Sequence, residues 1–157
     1  MTIDSRRKGA VAEGKARDEL RKATGYVWER IPGSGALDAK HGLKGDLYIP
    51  KLDNRFCVEV KHYKDDQLTS KLLSSKSPTF HTWWEQAVRQ AGQVDKEPLL
   101  IFKYDRSKWF IAFKEEVISP LDHYLSYSYK EHYIHVCLLT EFCLKMKKEQ
   151  WLKQSTS

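Results

Sequence analysis

One segment of the sequence limits the possible folds more than any other, because it has the pattern of a β-hairpin. It extends from Gly45 to Lys61 and contains two runs rich in apolar, aromatic and β-branched residues. The polar turn 51–54, which includes an Asp-Asn pair, separates the two runs. Apolar runs on either side of such a turn are typical of two antiparallel strands. The segment therefore predicts a pair of strands around which the rest of the chain is organised.

Three charged residues of this hairpin form a candidate catalytic cluster. Asp46 opens the first strand, and Glu59 and Lys61 lie two residues apart on the second, so their side chains share one face. Val58 and Val60 then point to the opposite face, toward the core. Two carboxylates can hold a hard divalent cation that keeps some of its water, and a lysine can orient or deprotonate the attacking water. Taken alone, the Glu-Val-Lys sequence also fits an ordinary amphipathic edge strand.

Composition limits the class of protein without identifying it. A chain of 157 residues is the usual size of one domain with one core, so we expect residues 1–157 to form a single domain. The 27 basic and 21 acidic residues give a net charge of +6, which permits a polyanionic partner without requiring one. No apolar run reaches transmembrane length, and the N-terminus is polar. We therefore expect a soluble cytoplasmic protein without a membrane partner.

Cys57 and Cys137 fall in strand-like runs and are predicted to be buried free thiols.

The N-terminal segment predicts a helix over residues 5–23, with an alanine-rich apolar stripe. Glu13 lies at the edge of this stripe. It either pairs with Arg17 one turn later in solvent, or it faces the hairpin and completes a metal site. The basic residues at the start of this segment suit contact with phosphates, or they form an ordinary solvated terminus: Arg6, Arg7 and Lys8.

A strand is predicted over residues 26–31, followed by the glycine-rich turn 32–36. Ser34 in this turn offers a hydroxyl to a phosphate, although a plain loop has the same composition. Residues 37–44 are predicted to be an exposed polar loop.

Four motifs together resemble a known family. They are Arg7-Lys-Gly-Ala-Val-Ala-Glu13, Arg30-Ile-Pro-Gly-Ser34, Gly45-Asp46 and Glu59-Val-Lys61. In this order they resemble the archaeal-type Holliday-junction resolvases of the PD-(D/E)XK nuclease superfamily, over roughly the first two thirds of the chain. Gly14 stands where that family usually has a basic residue. The segments 37–44 and 65–81 are longer than the corresponding segments expected for that family. These departures fit a divergent or viral member as well as a cellular one, and a viral member would act in the host cytoplasm.

The resemblance implies a catalytic set and a cofactor. Glu13, Asp46, Glu59 and Lys61 would be catalytic, with the three acids holding Mg²⁺, for which Mn²⁺ would substitute. Lys61 would position the nucleophilic water. The predicted DNA contacts are Arg6, Arg7, Lys8, Arg30, Ser34, Lys64 and Gln86, with Gln90 as the alternative to Gln86. Paired cuts in two strands need two sites, so the resemblance also implies a homodimer acting on branched DNA.

The rest of the chain predicts an α/β fold. A helix is predicted over residues 80–93. Trp83 and Trp84 in this helix either pack in the core, form an interface or stack on bases. Residues 67–79 before it are predicted to be a flexible loop. Further strands are predicted at 98–104, 108–113 and 133–139, and a last helix at 140–152. The expected architecture is a restriction-endonuclease-like mixed central sheet of about five strands flanked by helices.

The predicted function is a metal-dependent endonuclease that resolves four-way junctions in DNA recombination or repair. A PD-(D/E)XK nuclease with another target, of restriction or replication type, remains an alternative because the carboxylates do not distinguish DNA substrates. A binding module that kept the fold and lost catalysis is a second alternative. A pure binder, however, has no reason to place two acids where a phosphate must sit. A protein-interaction domain with a basic surface is a third.

Overall fold

A computed structural model describes residues 5–32, 43–118 and 120–154, and the side chains from residue 8 onward within them. The helices are α1 (Ser5–Thr24), α2 (Lys71–Ser74), α3 (Thr79–Gln93) and α4 (Leu139–Lys145), followed by a 3₁₀ helix at Lys148–Trp151. The strands are β1 (Glu29–Arg30), β2 (Leu47–Tyr48), β3 (Phe56–Tyr63), β4 (Glu97–Tyr104), β5 (Phe110–Lys114), β6 (Leu125–Tyr129) and β7 (His132–Leu138). Within these ranges no helix is both long and apolar enough to cross a membrane.

The strands form one mixed sheet in the order β1-β2-β3-β4-β5-β7-β6. The neighbours β3 and β4 are parallel, and the other neighbouring pairs are antiparallel. This arrangement confirms the predicted α/β class with a mixed central sheet flanked by helices. The described residues contain seven strands rather than about five. The missed strand β6 reads Leu-Ser-Tyr-Ser-Tyr and lies at the edge of the sheet with Leu125 56% exposed. Its alternation is a short strand signal, and only Tyr127 and Tyr129 are partly buried against the core.

One face of the sheet packs against α1, α4 and the 3₁₀ helix. Leu20 of α1, Phe142 of α4 and Trp151 are buried against Val58 and Ile101 of the central strands. Fully burying a large apolar side chain contributes about 1.5–3 kcal/mol. Because Val58 lies beside the candidate catalytic residues in β3, this core also holds the strand that carries them.

The opposite face packs against α3. Phe80, Trp83 and Trp84 are buried there against Leu100 and Phe102 of β4. The two tryptophans are 2% and 1% exposed, so both belong to the core and neither is available to stack on a base. The alternation of β4 side chains between two helical layers confirms the two-sided burial expected of a central strand.

Three predicted boundaries were wrong. The strand predicted over residues 26–31 is limited to β1, and the predicted loop 67–79 contains α2, whose Leu72 packs against the core. The predicted final helix 140–152 is divided, because Met146 has an extended backbone after α4. Met146 and Trp151 are both buried, and the break allows both side chains to reach the same core. A continuous helix would place residues five apart on different faces.

Candidate active site

The candidate site begins where β2 separates from β3. Leu47 is the β2 residue that pairs with β3, opposite Val58. Asp46 continues the contact differently: its backbone N donates to the Val58 carbonyl at 2.7 Å, and its Oδ2 accepts from the Val60 N at 2.7 Å. A side-chain carboxylate therefore takes the place of a strand partner, and the edge of β3 beyond Val60 lies open.

Gly45 makes this close approach possible. Its φ is +87°, a left-handed conformation that side chains disfavour. A Cβ built at this position would lie 2.6 Å from the Val58 carbonyl oxygen. Residue 45 must therefore be glycine for Asp46 to reach Val60.

Asp46 and Glu59 form an acidic pair in which Glu59 is buried and Asp46 is half-buried. Glu59 is 3% exposed, although it is charged in its ordinary state. Burial, together with the neighbouring Asp46, raises the pKa of Glu59 to about 8 against the opposing effect of Lys61. Burial likewise raises the pKa of Asp46 to about 6, with Glu13 adding to the effect. The two carboxyl groups are hydrogen-bonded to each other, which is consistent with one shared proton near neutral pH.

This donor set fits a divalent cation. A buried carboxylate beside a half-buried one is electrostatically costly, and a metal ion between them would remove that cost. Within the described ranges, no group of three or more His, Cys, Asp or Glu side chains is arranged to hold a metal. Magnesium commonly binds through one or two carboxylates and keeps several waters, so Asp46 and Glu59 meet its requirement.

Glu13 lies beside the pair but is held by another partner. Its Oε1 accepts from the Arg30 Nε at 3.2 Å, and its charge raises the pKa of Asp46. The alternative partner considered from the sequence, Arg17, instead bonds to Asp18 at 3.2 Å. Glu13 thus faces the hairpin, as the second interpretation expected, and Arg30 lies with it at the entrance of the site.

A cleft of about 540 Å³ brings most of the predicted residues together. Those among its lining are Lys8, Glu13, Asp46, Glu59, Lys61, Lys64 and Gln86. Arg30 is connected to these residues by its hydrogen bond to Glu13. Ser34 lies outside the described residues, as do the side chains of Arg6 and Arg7.

Two further lining residues have unexpected environments. The Oε1 of Gln90 is buried and has no hydrogen-bond partner within the described residues. His62 points away from Lys61, as expected from strand alternation, but its Nε2 lies 2.9 Å from the Asp105 Oδ1. No local sequence signal could reveal this second contact, because Asp105 lies 43 positions later in the chain.

A larger depression of about 1040 Å³ lies at the other end of β3. Four of its charged residues form two ion pairs: Arg55 Nε lies 2.5 Å from Glu97 Oε2, and Lys153 Nζ lies 3.7 Å from Asp95 Oδ2. It contains no buried carboxylate pair, so its size does not make it the catalytic site.

The mixed sheet and the acidic cleft agree with the predicted class of protein, the PD-(D/E)XK nucleases, which generally use divalent metals. Residues 4–154 match the family described as "Phage putative PDDEXK endonuclease". The chain belongs to this phage endonuclease family, which confirms the predicted superfamily and agrees with the expectation of a viral member.

Two known proteins are similar to this chain. Protein D14 of Escherichia phage T5 is 48% identical over 115 residues, which cover 71% of this chain and 72% of D14. The solved structure of Hjc, a Holliday junction resolvase from Archaeoglobus fulgidus, shares 18% identity and gives a TM-score of 0.47. That match covers 86% of this chain and 99% of Hjc.

Proposed function

We propose that this nuclease is a Mg²⁺-dependent endonuclease that resolves four-way DNA junctions by paired phosphodiester hydrolysis. The observation that carries the proposal is the Asp46–Glu59 pair, with Glu59 buried, beside Lys61 in an open cleft. Such a pair lowers the stability of the metal-free protein and is useful only if a cation binds there.

Each residue of the cleft has a role in the proposed mechanism. Asp46 and Glu59 would hold Mg²⁺, which supplies Lewis-acid stabilisation of the scissile phosphate and of the departing 3′ oxygen. Lys61 shares the strand face of Glu59, so its ammonium orients the attacking water and offsets phosphate charge. Mn²⁺ would substitute because it accepts the same oxygen ligands.

The Glu13–Arg30 pair links substrate binding to the metal site. A DNA phosphate that takes the Arg30 guanidinium would leave the Glu13 carboxylate available to a metal-bound water. In this scheme Glu13 acts through water, in agreement with the absence of a preformed three-carboxylate site in the described residues. The remaining proposed contacts to the DNA backbone are Arg6, Arg7, Lys8, Ser34, Lys64 and Gln86.

Junction resolution also requires two active sites, so we propose a homodimer acting on branched DNA. Recognition would rest on the shape of the junction and on phosphates, because the cleft side chains are mainly charged or amide groups. The two aromatic residues of the cleft already have partners, because Tyr63 contacts Trp83 and His62 contacts Asp105.

The test is cleavage of a labelled immobile four-way junction in Mg²⁺, with matched linear duplex, single strand and an EDTA control. Paired symmetric nicks confined to the junction would support the proposal, and Glu59→Gln should abolish them while binding persists. Equal cutting of linear duplex would reject junction selectivity and leave a nuclease with another DNA target. Binding without cutting in either Mg²⁺ or Mn²⁺ would identify an inactive binding module.

A further inference from the structure

The turn between β4 and β5, residues 103–109, is attached directly to the candidate active site. The Asp105 N donates to the Lys64 carbonyl at 3.3 Å, and the Asp105 carboxylate contacts His62 at 2.9 Å. Both Lys64 and His62 line the cleft. The turn is therefore a continuation of the cleft wall beyond the end of β3.

The turn carries an excess of positive charge. Its cations are Lys103, Arg106 and Lys108, and none of them forms an ion pair with a carboxylate in the part of the chain that the structure describes. The one acid of the turn, Asp105, is bonded to His62 instead. Arg106 and Lys108 are exposed, and the Lys103 ammonium lies 5.4 Å from the centre of the Trp109 ring.

The positive surface extends back toward α1. Burial lowers the pKa of His62, and the nearby charges of Lys103 and Lys8 lower it further against the effect of Asp105. Lys8 and Lys103 thus both lie near His62, so cations of α1 and of β4 are close to the same end of β3.

Arg106 has a backbone conformation that its side chain disfavours. Residues 104–107 form a β-turn closed by a 3.0 Å hydrogen bond from the Ser107 N to the Tyr104 carbonyl. Arg106 occupies the third position with φ +69°, where glycine or asparagine is preferred. An arginine at this position is unfavourable for the turn itself, so replacing it with glycine should not destabilise the fold.

We infer that the β4–β5 turn is a DNA-docking surface that holds phosphates of the duplex arm leaving the catalytic cleft. This inference rests on the proposed cleavage of DNA in the cleft and names a surface outside it. Unpaired exposed cations beside a site that must receive a phosphodiester attract a polyanion by releasing its condensed counterions. The turn contributes affinity and orientation, and the bond-breaking groups remain in the cleft.

Arg106→Gly separates DNA binding from folding. It removes the cation and at the same time gives the turn its preferred residue, so the melting temperature should stay equal or rise. Lys51→Gly is the matched control. Lys51 also has a left-handed backbone, with φ +68°, and is exposed, but it lies in the β2–β3 turn at the other end of β3. Both variants lose one positive charge.

Binding to a fluorescently labelled four-way junction and to a linear duplex should be measured by anisotropy in EDTA at several salt concentrations. Losing one phosphate contact flattens the slope of log K against log salt by about 0.9 and weakens binding roughly eightfold at 0.1 M salt. We expect this from Arg106→Gly, a further loss when Lys108→Ala is added, and little change from Lys51→Gly.

The outcomes distinguish the two proposals. A wild-type protein that binds DNA, with Arg106→Gly matching Lys51→Gly in affinity and salt slope, would overturn the docking surface alone. A wild-type protein without salt-dependent binding to either DNA would overturn both the docking surface and the proposed function. A loss of affinity in Arg106→Gly with an unchanged melting temperature supports the docking surface.

Discussion

Replacing Glu59 with glutamine should stabilise the metal-free protein as the pH rises. Glu59 has a pKa of about 8 in the folded protein, against 4.5 for the ordinary carboxyl, because it is buried beside Asp46. Between these values the folded state keeps a proton that the unfolded state has released. The free energy of unfolding therefore falls as pH increases through this window, and the stability is greatest on the acidic side. Glutamine does not titrate and removes this dependence.

The size of the effect follows from the pKa difference. A single group that titrates in this way changes the unfolding free energy by about 1.4 kcal/mol per pH unit. From pH 5 to pH 7.5, the free energy of unfolding of Glu59→Gln should therefore rise on the order of 3 kcal/mol relative to that of the wild type. Because Glu59 is only 3% exposed, solvent screening reduces this figure little. The glutamine amide can also donate to the Asp46 carboxylate, so the hydrogen bond within the pair is kept.

The assay is urea unfolding followed by tryptophan fluorescence at several pH values in EDTA. Glu116→Gln, an exposed carboxylate after β5, is the control and should follow the wild type. Adding Mg²⁺ at pH 7.5 should stabilise the wild type more than Glu59→Gln, since the metal requires both carboxylates. A stability difference between Glu59→Gln and the wild type that is independent of pH would refute the assignment of a buried acidic pair.

Three other substitutions or reactions test the surroundings of the site. Gly45→Ala should destabilise the protein by about 2–4 kcal/mol in urea unfolding because its Cβ would clash with a carbonyl, whereas Gly92→Ala, with open space in α3, should be neutral or stabilising. Asn54→Ala should lower the free energy of unfolding by about 2–3 kcal/mol in the same assay, because the buried Asn54 amide makes three hydrogen bonds that hold the hairpin turn. A variant as stable as the wild type would show that the turn does not need these hydrogen bonds. Cys57, whose pKa burial raises to about 12, should resist a thiol reagent at pH 8 until urea unfolds the protein, and rapid labelling in the native state would contradict its burial.

The sequence was most informative where the chemistry depends on neighbours in one strand pair. The spacing of Glu59 and Lys61, and the turn before them, were sufficient to predict a hairpin with its charged groups on one face. The structure brings Asp46 to Glu59 as that prediction requires. Gly45 was part of the quoted motif, but its positive φ and its contact with Val58 become visible only once the strands are paired.

Contacts between distant parts of the chain could not be predicted in this way. The pairing of Glu13 with Arg30 depends on how α1 crosses the sheet, and the contact of His62 with Asp105 depends on the parallel pairing of β3 with β4. For these two contacts tertiary packing decides the environment, and local pattern carries no information about it. Strand β6 differs, because Leu-Ser-Tyr-Ser-Tyr does alternate, but the alternation is short and its inward tyrosines are only partly buried.

The hydrogen bond from the Ile31 N to the Asp46 carbonyl, 2.9 Å long, has a consequence for how this family can diversify. It joins the two points where the chain leaves the sheet and returns to it, so the ends of the intervening segment are fixed side by side. Doubling the length of a segment with fixed ends costs only about 0.6 kcal/mol in closure entropy. Evolution can therefore lengthen, shorten or exchange residues 32–44 while Asp46 keeps its position. Related enzymes can acquire new substrate preferences at this point without rebuilding their catalytic centre.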